Sequence, residues 1–159
     1  MAAVSGSASA QAKDEGTSAL SFGTGCFDVV QKRDPSAEAV VEYRGGRAAR
    51  PFRGIVVATM TRDSSAFLAA GVGYEVTFGR RWVLMPTFAP GYYRQGNGKD
   101  LGYPLEFRSQ LELGYQFAPG HRFSVAFSHL SNAGLGRSNP GQESLTLAWQ
   151  VPLGHHATR

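Results

Sequence analysis

Three residues near the end of the chain have the types and spacing of a serine esterase site: His129, Ser131 and Glu143. A serine whose proton can pass to a histidine that is held by a carboxylate is the arrangement needed for nucleophilic attack on an ester carbonyl. Two positions along a strand separate Cα atoms by roughly 6.6 Å, which leaves room for an imidazole nitrogen to meet a hydroxyl. Such triples also arise by chance, so the spacing alone does not establish catalysis.

Two alternating segments position these three residues. HRFSVAF precedes the loop at 132–142 and ESLTLAWQV follows it, and alternation of polar and apolar residues at period 2 predicts strands with two different faces. Counting by twos from Phe127 reaches His129 and Ser131, and counting back from Leu145 reaches Glu143. The three residues therefore extend the apolar faces of the two strands, and pairing as a hairpin would place Glu143 beside the other two.

The motif SHLSNAG followed by NPGQE resembles that of the PagL-type lipid A deacylases, acyloxyacyl hydrolase-related enzymes of the Gram-negative outer membrane. In that family a His, a Ser two residues on and a Glu twelve after the Ser form a catalytic triad. The resemblance implies these roles for His129, Ser131 and Glu143. It extends to Asn132 after the serine and to the Asn139-Pro140-Gly141 segment before the glutamate.

The resemblance implies a substrate and a mechanism. The ester would be the one that links the primary 3-hydroxyacyl chain to the 3 position of the lipid A diglucosamine, cleaved without a metal or an organic cofactor. We expect oxyanion donors from Asn132 and from a backbone N–H near Gly134. Asn139 is either a further substrate-positioning residue or a turn residue before Pro140.

The rest of the chain divides into strand-like segments separated by turn signals. An even count of eight is the smallest size of a bacterial outer-membrane barrel, so the sequence predicts an all-β, eight-stranded, antiparallel up-and-down transmembrane β-barrel. The outer loops would be 31–37, 62–65, 94–102 and 132–142, and the other connections 45–51, 79–80 and 118–120. The predicted strands are 20–30, 38–44, 52–61, 66–78, 81–93, 105–117 and the two segments around the motif.

An eight-stranded barrel has room inside only for side chains, which predicts paired charges in the interior and apolar residues outside. A soluble barrel would have the opposite orientation. Proline removes a ladder donor, so Pro86 and Pro90 predict a bulged or bent fifth strand. The expected interior charges are Glu42, Arg53, Glu75, Glu106, Arg108 and Glu112, and the expected rim aromatics are Phe78, Trp82, Tyr115 and Phe117 at one end and Tyr92, Tyr93 and Tyr103 at the other.

Charge and composition indicate which classes of ligand the chain could bind. The net charge is +4 and the cations are mostly arginine, which suits phosphate, whereas the sequence offers no cationic cluster or recognition helix for a nucleic acid. The histidines His121, His155 and His156 lack ligand partners at metal spacing, so no metal site is expected. The candidate phosphate contacts in the outer loops are Lys32, Arg33, Arg94, Lys99 and Arg137, although each could equally be an ordinary solvated charge.

The predicted organisation is one barrel with short ends. Residues 1–18 are interpreted as the remnant of a signal peptide or a disordered terminus, residues 19–154 as the barrel and residues 155–159 as a tail. Lipid A or lipopolysaccharide is the expected substrate, and a homodimer stays open. The alternatives are a non-catalytic structural or adhesin-type barrel, a phospholipase with the same triad, and a soluble calyx with inverted faces.

Overall fold

A computed structural model describes residues 17–46 and 51–154 of the chain. The strands are β1 (Ala19–Phe27), β2 (Ser36–Arg44), β3 (Phe52–Thr61), β4 (Ala66–Tyr74), β5 (Val76–Phe78), β6 (Trp82–Arg94), β7 (Leu105–Ala118), β8 (His121–Ser131) and β9 (Gln142–Pro152). The segments β4 and β5 are two halves of one barrel strand, separated at Glu75.

Each strand pairs antiparallel with its sequence neighbours, and the last strand pairs with the first. The closing ladder between β1 and β9 runs without interruption from Ala19 opposite Pro152 to Phe27 opposite Ser144. Since β4 also pairs with β6, the sheet closes into an antiparallel barrel of eight strands. The predicted fold class is confirmed in strand number, direction and closure.

The first predicted strand is three residues too long. β1 ends at Phe27 because Asp28 adopts a left-handed backbone conformation with φ of 58°, which takes the chain out of the extended region. The prediction to residue 30 followed the apolar residues Val29 and Val30, but these belong to the connection between β1 and β2.

A bulge, one of the two irregularities predicted for the proline-containing strand, is not present in β6. β6 keeps one register with β7 from Trp82 to Tyr92, past both Pro86 and Pro90. Its register with β4 and β5 is also constant, but the pairing skips the residues next to each proline. The missing N–H groups therefore interrupt one ladder without adding a residue to the strand.

The barrel buries many polar and charged side chains, beside an apolar cluster that includes Val57, Phe67 and Met85, and it exposes most of its large apolar side chains. Exposed Phe, Leu, Val, Trp and Tyr residues cover the outer face, as on Phe127, Leu145 and Leu147. This orientation is opposite to that of a soluble calyx. All six predicted interior charges are buried: Glu42, Arg53, Glu75, Glu106, Arg108 and Glu112.

Ion pairs connect most of the interior charges. Arg44, which the sequence did not single out, bonds to Glu42 at 2.8 Å and also to Glu112. Arg122, also missed, lies 3.1 Å from Glu75. Buried charges are tolerated when they are paired and hydrogen-bonded, and here they fill the inside of the barrel.

Aromatic side chains gather at both rims, with one exception to the prediction. Trp82 and Tyr115 pack edge to face at 5.1 Å on the outer surface, and Phe117 stacks on Phe123. At the other rim Tyr92 and Tyr103 are exposed, but Tyr93 is buried in the interior. Tyr93 has the opposite parity from Tyr92 on β6, so it cannot belong to the same outer girdle.

The chain ends bear on the predicted terminal segments. Strands begin at Ala19 and end at Pro152, while residues 1–16 and 155–159, on which most of those predictions fall, lie outside the described residues. Within 17–46 and 51–154, no helix is long and apolar enough to cross a membrane.

Candidate active site

The hairpin formed by β8 and β9 brings two of the three candidate catalytic residues face to face. His129 on β8 is the register partner of Glu143 on β9. Ser131 is the last residue of β8, two positions beyond His129 on the same side of the strand. His129 and Ser131 point to the outer face, because Leu130 and Asn132, which alternate with them, are buried. Glu143 does the same, because its neighbours Gln142 and Ser144 are buried. The parity argument therefore placed each side chain on the face that the structure gives it.

A hydrogen bond joins the imidazole to the carboxylate. Nδ1 of His129 lies 3.0 Å from Oε1 of Glu143. The His129 side chain is 45% exposed and that of Glu143 is 15% exposed, so the carboxylate is the more shielded partner. With the proton on Nδ1 donated to Glu143, Nε2 is left as an acceptor on the side away from the carboxylate.

The surroundings of the site are mostly apolar. Phe127 and Leu145 occupy the next outward positions below His129 and Glu143, and Phe107 of β7 is the register partner of Ser131. Further along the same outer face lies a shallow groove of about 720 Å³. Its lining includes Trp82, Leu113, Tyr115, Phe123, Leu147 and Trp149.

A tight turn follows Ser131 and uses the side chain of Asn132. The N–H of Leu135 donates to the carbonyl of Asn132 at 3.0 Å, across Ala133 and Gly134, which both have positive φ. Nδ2 of Asn132 donates to the carbonyls of Leu101 and Ser138, each at 2.8 Å. Its Oδ1 accepts the N–H of Gly134 at 2.9 Å. In this conformation the two expected oxyanion donors are therefore engaged within the loops.

The Asn139-Pro140-Gly141 segment organises the return of the loop to β9. Oδ1 of Asn139 accepts the N–H of Asn132 at 3.1 Å, and the carbonyl of Pro140 accepts Nε2 of Gln31 at 2.7 Å. Gly141 has φ of 60° and lies against the ring of His129. The Asn139 side chain thus makes a contact within the loop, and a part in positioning the substrate stays a prediction.

Asp28 links two connections at this end of the barrel. Its Oδ2 accepts the N–H groups of Arg33 at 2.7 Å and Asp34 at 2.9 Å, and its Oδ1 binds Nζ of Lys99 at 2.5 Å. The next residue, Val29, donates its N–H to the carbonyl of Glu143 at 2.9 Å. These bonds fasten the β1–β2 and β6–β7 connections to the strand that carries Glu143.

One of the five candidate phosphate contacts is placed otherwise. Lys99 is 3% exposed and its ammonium group is paired with Asp28, so it serves the loop structure and is not available to a lipid phosphate. The other four, Lys32, Arg33, Arg94 and Arg137, are exposed in or beside the connections at this end.

The described residues include no group of side chains suited to a metal ion. Within residues 17–46 and 51–154, no group of three or more His, Cys, Asp or Glu side chains could hold a metal ion. His121 instead packs 6.0 Å from the ring of Phe117 and 6.3 Å from that of Trp149. The other two histidines considered, His155 and His156, lie outside the described residues.

Sequence reasoning missed the supporting residues Asp28 and Gln31, and it did not foresee the contact of Gly141 with His129. An aspartate directly after a strand is a common loop signal, but nothing local indicates that its partner is a lysine 71 positions later. Gly141 was noted as part of a motif, and only the fold reveals that it faces an imidazole ring.

Comparison with known proteins agrees with this geometry. A family model described as lipid A 3-O-deacylase (PagL) matches residues 34–152. The lipid A deacylase PagL of Pseudomonas aeruginosa is 29% identical over 109 residues, covering 68% of this chain and 55% of that protein. The lipid A deacylase PagL of Bordetella bronchiseptica is 33% identical over 51 residues, covering 32% of this chain and 29% of that protein. The chain thus spans about half the length, or less, of these curated relatives.

A solved structure supports the same fold. The crystal structure of the outer membrane enzyme PagL superposes with a TM-score of 0.67 at 19% identity, covering 85% of this chain and 99% of that one. The matched family segment includes His129, Ser131 and Glu143, and the barrel places all three on one outer surface. The chain belongs to the lipid A 3-O-deacylase (PagL) family.

Proposed function

We propose that this chain is an outer-membrane esterase that removes the 3-O-linked primary 3-hydroxyacyl chain from lipid A. The observation that carries the proposal is the bond between His129 and Glu143 on the apolar outer face of the barrel, beside Ser131. Ionisable residues facing lipid are costly and are retained where they have a partner or a function. A structural or adhesin-type barrel does not need a histidine–carboxylate pair on its lipid-facing surface. A hydrolase that acts on a membrane lipid needs one.

In the acylation step the hydroxyl of Ser131 attacks the ester carbonyl. Nε2 of His129 takes the hydroxyl proton as the new C–O bond forms, and Glu143 orients the ring and stabilises the imidazolium. When the tetrahedral intermediate collapses, the bond to the sugar oxygen breaks and His129 returns the proton to that oxygen. The products are the free sugar hydroxyl and an acyl group esterified to Ser131.

Water completes the cycle. His129 accepts a proton from water as it attacks the acyl-Ser131 ester, and collapse of the second intermediate restores the serine hydroxyl and releases a 3-hydroxy fatty acid. Donors to the oxyanion would come from Asn132 and from the N–H of Gly134. That role requires the turn after Ser131 to exchange its present bonds, because both groups donate within the loops.

The apolar surface beside the triad suits the acyl chain. The groove lined by Leu113, Phe123 and Leu147 lies on the same face of β7, β8 and β9 as the triad, towards the opposite rim. An acyl chain in this groove would stay in an apolar environment while its carbonyl lies at Ser131. The exposed cations Lys32, Arg33, Arg94 and Arg137 supply candidate contacts to lipid A phosphates in the headgroup layer.

The first experiment is mass spectrometry of lipid A from Gram-negative cells that export this chain to the outer membrane. We expect loss of one 3-hydroxyacyl group with the unmodified chain and none with Ser131→Ala. The matched control is Ser128→Ala, since Ser128 is on the same strand but buried on the inner face. Unchanged lipid A together with cleaved glycerophospholipid would favour the phospholipase alternative, and no change in any lipid would favour the non-catalytic barrel.

A further inference from the structure

A second pocket opens at the same end of the barrel as the triad, between the end of β6 and the connection from β6 to β7. Its volume is about 310 Å³. The lining includes three tyrosines, a guanidinium group and a carboxylate, so it is much more polar than the apolar groove. These groups belong to Tyr92, Tyr93, Tyr103, Arg94 and Asp100.

The functional groups of this pocket are accessible. The side chains of Tyr92 and Tyr103 are 62% and 43% exposed. Arg94 is exposed and makes a long contact of 3.5 Å to the carbonyl of Ser64. A guanidinium group binds phosphate through two parallel hydrogen bonds, and a tyrosine ring presents an apolar face with a polar tip. A phosphorylated sugar offers the complementary groups: an apolar ring face, hydroxyls and an anion.

The connection that forms the pocket is already fastened. Oη of Tyr93 donates to the carbonyl of Lys99 at 2.8 Å, and the N–H of Tyr93 donates to the carbonyl of Pro104 at 2.7 Å. Asp100 accepts the N–H of Gly102 at 2.8 Å, and Asn132 holds the carbonyl of Leu101. A ligand would therefore meet a preformed site with little further ordering of the loop.

The distance from the triad fits a single substrate molecule. Ser131 pairs with Phe107, which pairs with Pro90 on the next strand, and Tyr92 lies two residues further towards the rim. Strand spacing and rise give a Cα separation of about 12 Å between Ser131 and Tyr92. A sugar ring whose acylated oxygen lies at Ser131 can reach the pocket with its neighbouring ring or its phosphate.

We propose that this pocket is a headgroup subsite for the phosphorylated sugar of the substrate. Tyr92 and Tyr103 pack against a sugar ring, Arg94 binds the phosphate and Asp100 accepts a hydrogen bond from a sugar hydroxyl. The inference rests on the proposed function and adds to it a basis for recognising a glycolipid, because a glycerophospholipid shares the phosphate but lacks the sugar ring that would pack on Tyr92 and Tyr103. Arg94 and Tyr103 are then specificity-determining residues, distinct from the hydrolytic triad.

The test uses the full chain in detergent micelles with three esters: lipid A, the same lipid A after enzymatic removal of its phosphates, and a p-nitrophenyl acyl ester. We expect Arg94→Gln to raise KM for phosphorylated lipid A by about tenfold, with kcat changed less than twofold, since a charge-assisted contact is lost. The other two esters should be unaffected. Arg62→Gln, which removes an exposed arginine of the β3–β4 connection that does not line the pocket, is the matched control. An equal loss on all three esters, or no loss on lipid A, would overturn the subsite.

A binding measurement separates failure of the subsite from failure of the esterase. Two chains, Ser131→Ala and Ser131→Ala with Arg94→Gln, are each titrated with lipid A and with lipid A that has lost its phosphates. Tighter binding of the phosphorylated form that depends on Arg94 supports the subsite even if the unmodified chain hydrolyses none of the esters. An affinity that is the same with and without the phosphate, or with and without Arg94, contradicts the subsite whether or not hydrolysis occurs.

Discussion

Gly141 lies so close to His129 that a Cβ added to it would be 3.1 Å from Cε1 of the imidazole. The glycine also has a left-handed backbone, with φ of 60°. The loop that ends at Gly141 leads directly into β9, the strand that carries Glu143. Gly141 and Glu143 therefore both lie next to the His129 ring. The position of the imidazole is therefore set by a hydrogen bond on one side and by a missing side chain on the other.

Replacing this glycine should impair catalysis more than folding. Gly141→Ala introduces a methyl group that displaces the His129 ring, so we expect kcat for ester hydrolysis to fall by about tenfold or more. Gly79→Ala is the control, since Gly79 has the same φ of 60° but nothing within 4 Å of its added Cβ. Both variants carry backbone strain of about 1–2 kcal/mol. Equal activities of the two variants would contradict a positioning role for Gly141.

Neutralising the triad carboxylate should separate charge from shape. Glu143→Gln keeps the size of the side chain but removes the charge that stabilises the imidazolium, so we expect kcat to fall by about 10³–10⁴-fold. Steady-state hydrolysis of a p-nitrophenyl acyl ester measures the effect. Asp63→Asn, an exposed acid in the β3–β4 connection, is the control and should retain activity. Activity of Glu143→Gln near that of the unmodified chain would remove Glu143 from the mechanism.

The fastening of the loops by Asp28 should depend on pH in one direction. Burial raises the pKa of this carboxyl, but the N–H of Asp34, the ammonium of Lys99 and the N–H of Arg33 outweigh it and hold the pKa below its usual value. A group with a lowered pKa stabilises the fold above its unfolded pKa, about 3.9, and the stabilisation is lost as pH falls through the lower folded value. Hydrogen exchange of 28–34 and 95–102, corrected for intrinsic rates, should stay slow down to about pH 4.

Removing the Asp28 charge should open the same loops at every pH. Asp28→Asn leaves Lys99 buried beside a neutral amide, so we expect fast exchange in both connections and no further change between pH 7 and pH 4. Asp34→Asn, which removes an exposed charge in the same loop, is the control. Slow exchange in Asp28→Asn would show that the backbone bonds alone hold the loops.

The interior ion pairs should govern stability rather than activity. Arg44→Ala leaves Glu42 and Glu112 buried without their shared partner, and breaking a buried pair on one side costs about 3–5 kcal/mol. We expect a lower midpoint in heat-induced loss of the compact form on gels, with kcat unchanged at a temperature where the barrel stays folded. Combining Arg44→Met with Glu112→Gln should recover part of the midpoint. A single variant as stable as the unmodified chain would contradict this role.

Local alternation, together with a count of eight strands, was sufficient to predict the barrel and the face of each candidate catalytic residue. Parity placed His129, Ser131 and Glu143 outward and Glu106 and Arg108 inward, because a period of two fixes a side chain's face once one residue of the strand is assigned. Strand ends were harder. The end of β1 depends on the backbone of Asp28, and that conformation is stabilised by contacts with residues distant in sequence.

Contacts between loops could not be predicted from the sequence. Lys99 looked like a solvated cation, and its burial follows from Asp28, a residue on another connection. Asn132 matched the motif of a catalytic family, yet its amide bonds to Leu101 and Ser138. Arg44 and Arg122 were not singled out, although each has the inward parity of its predicted strand, shared with Glu42 and Ser124 respectively.

The packed interior has a consequence for permeability. Paired side chains such as Arg44 with Glu112 and Arg122 with Glu75 occupy the space that a wider barrel leaves to water. In a membrane this barrel would therefore have no water-filled channel along its axis. Large amounts of it should therefore leave the leakage of small antibiotics and dyes into cells unchanged.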